Sequence, residues 1–194
     1  VSLRVGPDGS LFFVDWYDEQ ACHRSEVEIW DRSNGRLYRT RFGELKPVAA
    51  DVASKSSADL VALQLHPNDW FVRQARRILM ERGPDEAIAA SLFARLQSQE
   101  QTEKKLRFLW ALHAVDGLTP ERVSELLGDA DEYVRAWTIQ LAIDQVEGKR
   151  LDGTSKTLPP ALQATLDALA ESETSLVVRL YLASALQRIE VQAR

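Results

Sequence analysis

The periodicity of this chain changes near Gly43, and that seam limits what it can fold into. Before it, short β-branched and aromatic runs alternate with turn-forming clusters, the pattern of strands. After it, apolar residues recur at three- and four-residue spacing, the pattern of amphipathic helices. The reading is therefore a mainly α chain: a β segment over residues 1–43, then a helical domain over residues 44–194.

In the β segment, Val5-Gly6-Pro7-Asp8-Gly9-Ser10 is a turn cluster. Proline presets φ, and Asp-Gly tolerates left-handed backbone. Leu11-Phe12-Phe13-Val14 predicts a strand that ends at Asp15, and Asp15 to Gln20 opens a polar loop carrying Cys22 and His23. The Asn34-Gly35 pair predicts a second turn. Arg36-Leu37-Tyr38-Arg39-Thr40 alternates polar and apolar, so it predicts a second strand. A lone hairpin is marginal in water, so this short hairpin needs a sheet or a helical layer to pack on.

In the helical part four stretches share one phrase, an acid or turn residue followed by Val-Arg or a relative and then an apolar stripe. They contain Asp69 to Arg73, Glu103 to Arg107, Asp131 to Arg135 and Glu173 to Arg179. The closing arginines, Arg73, Arg107, Arg135 and Arg179, lie 34, 28 and 44 positions apart. Spacing of about one helix pair per unit, with variable loops, fits HEAT-like repeats. The stripes Leu106-Leu109-Trp110-His113 and Val134-Trp137-Leu141-Ala142 follow helical period. Each such helix has a shorter partner before it. These are Ser57 to Leu65, Pro84 to Gln97 after a helix ending at Gly83, a helix opened by Thr119-Pro120, and one opened by Pro159-Pro160. Threonine is a helix cap, and proline suits the first helical position. The fold expected is a HEAT-like α-solenoid of about four helix pairs in a right-handed stack, enough repeats for stability. The Gly-, Ser-, Thr- and Lys-rich stretch 147–157, locally basic through Lys149, Arg150 and Lys156, reads as a solvated loop, with an anion site as the alternative.

A formal charge of −5 weighs against sequence-independent nucleic-acid binding, which needs clustered cations. No apolar run approaches the roughly 20 residues that span a bilayer. Cys22 is the one cysteine, so it is either a buried thiol or half of a bridge to a cysteine outside this chain. Of His23, His66 and His113, only His23 adjoins a cysteine, and adjacent residues do not close a tetrahedral metal site. His113 reads as a hydrogen-bonded core residue and His66 as part of a helix entrance. Asp15, Asp18, Glu19 and Asp31 form an acidic loop cluster that reads as a solvated loop, with calcium binding as the alternative, since it lacks the ligand spacing of a calcium loop. Asp15, Cys22 and His23 together are the candidate loop site. The four arginines form a candidate ladder, either structural, paired to Asp69, Asp131 and Glu173 at helix starts, or open to a partner. Trp16, Trp30, Trp70, Trp110 and Trp137 read as core residues. No phosphate loop, dinucleotide fingerprint or nucleophile elbow occurs.

The phrases VGPDGSLFFVDWYD, ACH and WDRSNGRLYR resemble the last β-propeller blade of the glucose/sorbosone-dehydrogenase-like proteins of planctomycetes and verrucomicrobia, often called membrane-bound dehydrogenases. The resemblance covers about the first 45 residues and the phrase His66-Pro67-Asn68-Asp69-Trp70. It implies a blade remnant followed by HEAT-like repeats, a piece of a longer protein placed outside the cytoplasm. The parent would use pyrroloquinoline quinone, calcium and haem c. This chain lacks a Cys-x-x-Cys-His haem motif, most of a propeller and any matching catalytic base, so no cofactor or catalytic residue is assigned to it. The function expected is a non-catalytic interaction or scaffold module that docks other domains of the parent or another protein. The alternative is part of a quinone-dependent sugar or aldehyde dehydrogenase, active only at full length.

Overall fold

The computed structural model describes residues 2–15, 35–44, 48–145 and 158–189. Three short strands come first: β1 (Leu3–Val5), β2 (Leu11–Val14) and β3 (Leu37–Thr40). They form an antiparallel sheet in the order β1-β2-β3. Leu3 faces Phe13 across β1–β2, and Phe13 faces Tyr38 across β2–β3. The expected hairpin is therefore a three-stranded sheet. The missed strand is Leu3-Arg4-Val5, too short for its alternation to stand out. The turn cluster between β1 and β2 forms as expected. Asp8 accepts from the Ser10 hydroxyl at 2.6 Å, and Gly9 sits at φ 79°. The Ser10 hydroxyl and then Arg39 hold the Asp8 carboxyl down to about 2.

Among the described residues eight helices follow: α1 (Ser57–Ala62), α2 (Asp69–Arg82), α3 (Glu86–Gln97), α4 (Thr102–Ala114), α5 (Pro120–Leu126), α6 (Glu132–Gln145), α7 (Pro160–Ser172) and α8 (Leu176–Leu186). Leu63–Leu65 continues α1 as a short 3-10 turn. Side-chain caps fix most starts by satisfying backbone N–H groups that have no partner inside the helix. Ser56 and Asp59 cap each other's backbone in a capping box. Asn68 accepts from Trp70 N–H, Thr119 from Arg122 N–H and Ser175 from Val178 N–H. The reading of Pro84 as the first residue of α3 is corrected. Asp85 caps that helix, accepting Ala87 and Ile88 N–H at 2.9 and 3.2 Å, so the proline lies outside it.

The helices touch in two ways. α1 packs on α2, α3 on α4, α5 on α6 and α7 on α8; α2, α4, α6 and α8 also each touch the next in that row. One contiguous apolar core results, with Leu60, Leu79, Leu92, Phe108, Leu112 and Ile139 enclosed. Helix α4 is covered by α2, α3 and α6. That position corrects its expected stripe. Phe108, Leu109, Ala111 and Leu112 are buried, whereas Leu106, Trp110 and His113 are half-buried. A helix covered on several sides has no single stripe for a period of 3.6 to reveal. Gly117 lets the chain turn tightly after α4. A Cβ there would lie 2.5 Å from Leu112 Cδ1 and 2.8 Å from Ala89 Cβ. The sheet meets the helices at the start of α2, where the Asn68 amide donates to the Gly6 and Pro7 carbonyls at 3.0 and 3.1 Å.

Candidate functional site

The starts of α2, α4, α6 and α8 form a polar seam. Arg107, on α4, reaches back to the His66 carbonyl at 3.1 Å and to Asp69, at the first position of α2, at 3.6 Å. Lys105 reaches forward to both oxygens of Asp129, at 2.8 and 3.0 Å. Arg135, on α6, holds Glu173 before α8 through bonds of 2.9 and 3.1 Å, while its other nitrogen donates to the Asp129 carbonyl at 2.8 Å. This fork-to-fork geometry suits a guanidinium and a carboxylate. Arg135 is the main cause that lowers the Glu173 pKa.

Of the four arginines, then, Arg107 and Arg135 lie in ion pairs, and Arg73 and Arg179 are exposed with no ion pair among the described residues. Asp131 pairs with no arginine among the described residues. It accepts from Tyr133 N–H at the start of α6 and from the Thr102 hydroxyl at 2.5 Å. Sequence does not distinguish Lys105 from the adjacent Lys104; only the fold brings one of the two to Asp129.

Beside the seam runs a row of rings. The Arg76 guanidinium carbon lies 5.2 Å from the centre of the Trp110 ring. Trp110 meets Trp137 edge to face at 5.1 Å, and Trp137 meets Tyr181 at 6.3 Å. The row thus crosses α2, α4, α6 and α8. All of these residues are half-buried, and Trp110, Trp137 and Tyr181 pack on the core, so the tryptophans are neither fully core nor an open platform. Helical period puts Arg73, Arg77 and Met80 on the same side of α2 as Arg76, and Tyr133 and Gln140 on the same side of α6 as Trp137. Arg73, Arg77, Met80 and Tyr133 are exposed. This side of the row is cationic at one end and aromatic through its middle.

His113 stands on the same side of α4. Its Nδ1 has no hydrogen-bond partner among the described residues, which corrects the expectation of a bonded core histidine. Burial lowers its pKa, against a smaller opposing pull from Asp144. His66 is anchored locally, its Nδ1 accepting Asn68 N–H at 3.0 Å.

In the candidate loop site, Asp15 pairs with Arg36 at 3.1 Å, and its N–H bonds to the Arg36 carbonyl. Cys22 and His23 lie outside the described residues, as do Trp16, Asp18, Glu19, Trp30, Asp31 and the basic stretch Lys149, Arg150 and Lys156. Among the described residues no group of three or more His, Cys, Asp or Glu could hold a metal ion, and no helix is long and apolar enough to cross a membrane. The chain matches no protein-family model, no curated protein and no solved structure.

Proposed function

We propose that this chain is a helical-repeat interaction module of HEAT-like type, whose working surface is the ring-bearing side of α2, α4, α6 and α8. The observation that carries this reading is the continuous row Arg76–Trp110–Trp137–Tyr181. Side chains held rigidly by a core but open on one side lose little entropy when a partner covers them. Aromatic and arginine side chains are also the commonest anchors of protein interfaces. The repeated helix-on-helix contacts support a solenoid arrangement, in which such a surface extends along the stack. The partner is a protein segment with carboxylates toward Arg73 and Arg76 and apolar side chains toward the rings.

The test is size-exclusion chromatography of the chain with the remainder of its parent polypeptide. Co-elution that is weakened by Arg73→Glu and Tyr133→Ala, both at exposed positions, supports the reading. Absence of association at every salt concentration defeats it.

A second reading draws on the sheet. Leu3, Val5 and Tyr38 share one face of it by register, and all three are exposed. An apolar sheet face of this kind favours a β segment completed by further strands or a packed sheet, as in a propeller blade of a quinone-dependent dehydrogenase. Reading the gene upstream tests it. Several more Gly-Pro-Asp-Gly-type blades support it, and their absence removes it.

A further inference from the structure

The α4–α6 and α6–α8 junctions of the seam share a positional rule, which the α2–α4 junction, with Val72 and Gln99 at the equivalent places, does not follow. Let N1 be the first residue of each helix and the cap the residue before it. Thr102, N1 of α4, donates to Asp131, the cap of α6. Glu132, N1 of α6, accepts from Ser175, the cap of α8. Lys105, the fourth residue of α4, pairs with Asp129, two residues before the α6 cap. Arg135, the fourth residue of α6, pairs with Glu173, two residues before the α8 cap. In both junctions the same carboxylate also accepts the N–H of the cap, at 2.8 Å for Asp131 and 2.7 Å for Ser175.

Helix α8 repeats the donor side of this junction. Its fourth residue is Arg179, exposed and without an ion pair among the described residues. The ridge Glu132-Arg135-Ala136-Ile139 of α6 becomes Leu176-Arg179-Leu180-Ala183 on α8. Ala136 and Ile139 are fully enclosed, but their counterparts Leu180 and Ala183 are exposed; Leu180 is 67% exposed and Leu176 79%. Two neighbouring leucines thus stand open beside an arginine that has no ion pair among the described residues, on the side of the helix that is covered in α6.

We propose that this ridge of α8 docks one more helix of the same chemistry, apolar along its contact ridge and carrying Asp or Glu two residues before its cap. Arg179 takes that carboxylate as Arg135 takes Glu173. A second copy of this chain does not supply it. The equivalent positions before α2 and α4 are His66 and Gln99, and those before α6 and α8, Asp129 and Glu173, already hold cations. The inference does not depend on the aromatic row, which lies on a different set of residues.

The probe is a labelled synthetic peptide of residues 171–189, which places Glu173 two residues before its cap, titrated with the intact chain by fluorescence anisotropy. Saturable binding is expected, weakened roughly tenfold or more by Arg179→Glu or Leu180→Glu in the protein. Arg179→Glu with a Glu173→Arg peptide restores it. Both protein substitutions are at exposed positions, so far-ultraviolet circular dichroism should not change. Absence of binding at about 1 mM overturns the proposal. So does binding that depends on Arg135 rather than Arg179, because the peptide is then replacing α8. Self-association of the chain, abolished by Leu180→Glu and without peptide binding, also overturns it in favour of a second copy. Arg73→Glu and Tyr133→Ala leave peptide binding unchanged, which separates this face from the aromatic row.

Discussion

Arg135 and Glu173 come from different helical pairs, 38 positions apart, and meet through two parallel hydrogen bonds of 2.9 and 3.1 Å. The Glu173 side chain is only 5% exposed, so this is not a surface ion pair. It fastens α6 to the start of α8, and it also fixes the backbone there, because Glu173 accepts Ser175 N–H as well.

Removing one partner leaves an enclosed charge without its counterpart. Arg135→Gln or Glu173→Gln should each cost roughly 3 kcal/mol of stability. The double substitution should cost less than the sum, because the unpaired charge is gone. Urea denaturation of the three variants gives the values. A loss under about 0.5 kcal/mol would class the pair with solvent-screened surface bridges.

The same pair sets an acid limit. Arg135 lowers the folded pKa of Glu173 below its ordinary 4.5. The unfolded chain therefore binds the proton more readily. The pair's stabilisation is fully present above that ordinary value and fades as pH falls through the folded value. Stability of the Glu173→Gln variant should vary less with pH across that window. Thermal melts at closely spaced pH values below 5 would show parallel curves if the pair contributes nothing.

His113 titrates in a higher window. Burial lowers its folded pKa from 6.5, so the folded state favours the neutral ring. Its contribution is present above 6.5 and lost as pH falls toward the folded value. A His113→Gln variant should lack this loss. NMR titration of the ring protons measures the pKa directly, and a value above 6.5 would reverse the sign.

Packing at the turn after α4 leaves no room for a methyl group. Gly117→Ala should cost about 1–3 kcal/mol by overpacking against Leu112 and Ala89. Adding Ala89→Gly should recover part of that loss, because it removes one of the two atoms struck. Additive losses in the pair would show that the strain arises elsewhere.

A smaller effect belongs to the cap of α3. Asp85→Ala should cost about 1 kcal/mol, since Ala87 and Ile88 N–H lose their acceptor. Amide exchange would quicken in the first turn of α3 and not in its last. Uniform quickening along the helix would instead mean that global stability had changed.

Helix positions were legible because their determinants are local. Thr119-Pro120 and Pro159-Pro160 begin helices, Ser57 to Leu65 is helical, and Gly83 at φ 86° ends α2. Each follows from a cap, a fixed φ or a missing Cβ within a few residues. Leu3-Arg4-Val5 was not legible, because a three-residue strand exists only through its pairing with β2.

The candidate surface shows the same division. The sequence displayed the tryptophans, the repeated arginines and the acids at helix starts, and it determined which stretches coil. It did not determine which arginine meets which acid. Arg107 turns back to Asp69, Lys105 turns forward to Asp129, and Arg73 and Arg179 stay exposed, though Arg73, Arg107 and Arg179 end similar phrases. Only the stacking of α2, α4, α6 and α8 decides this, because it sets which side chain lies within hydrogen-bonding reach of a neighbouring helix start. Capping and periodicity act over a few residues of chain, whereas ion pairing and ring contact act through space, and the packed core alone fixes those distances.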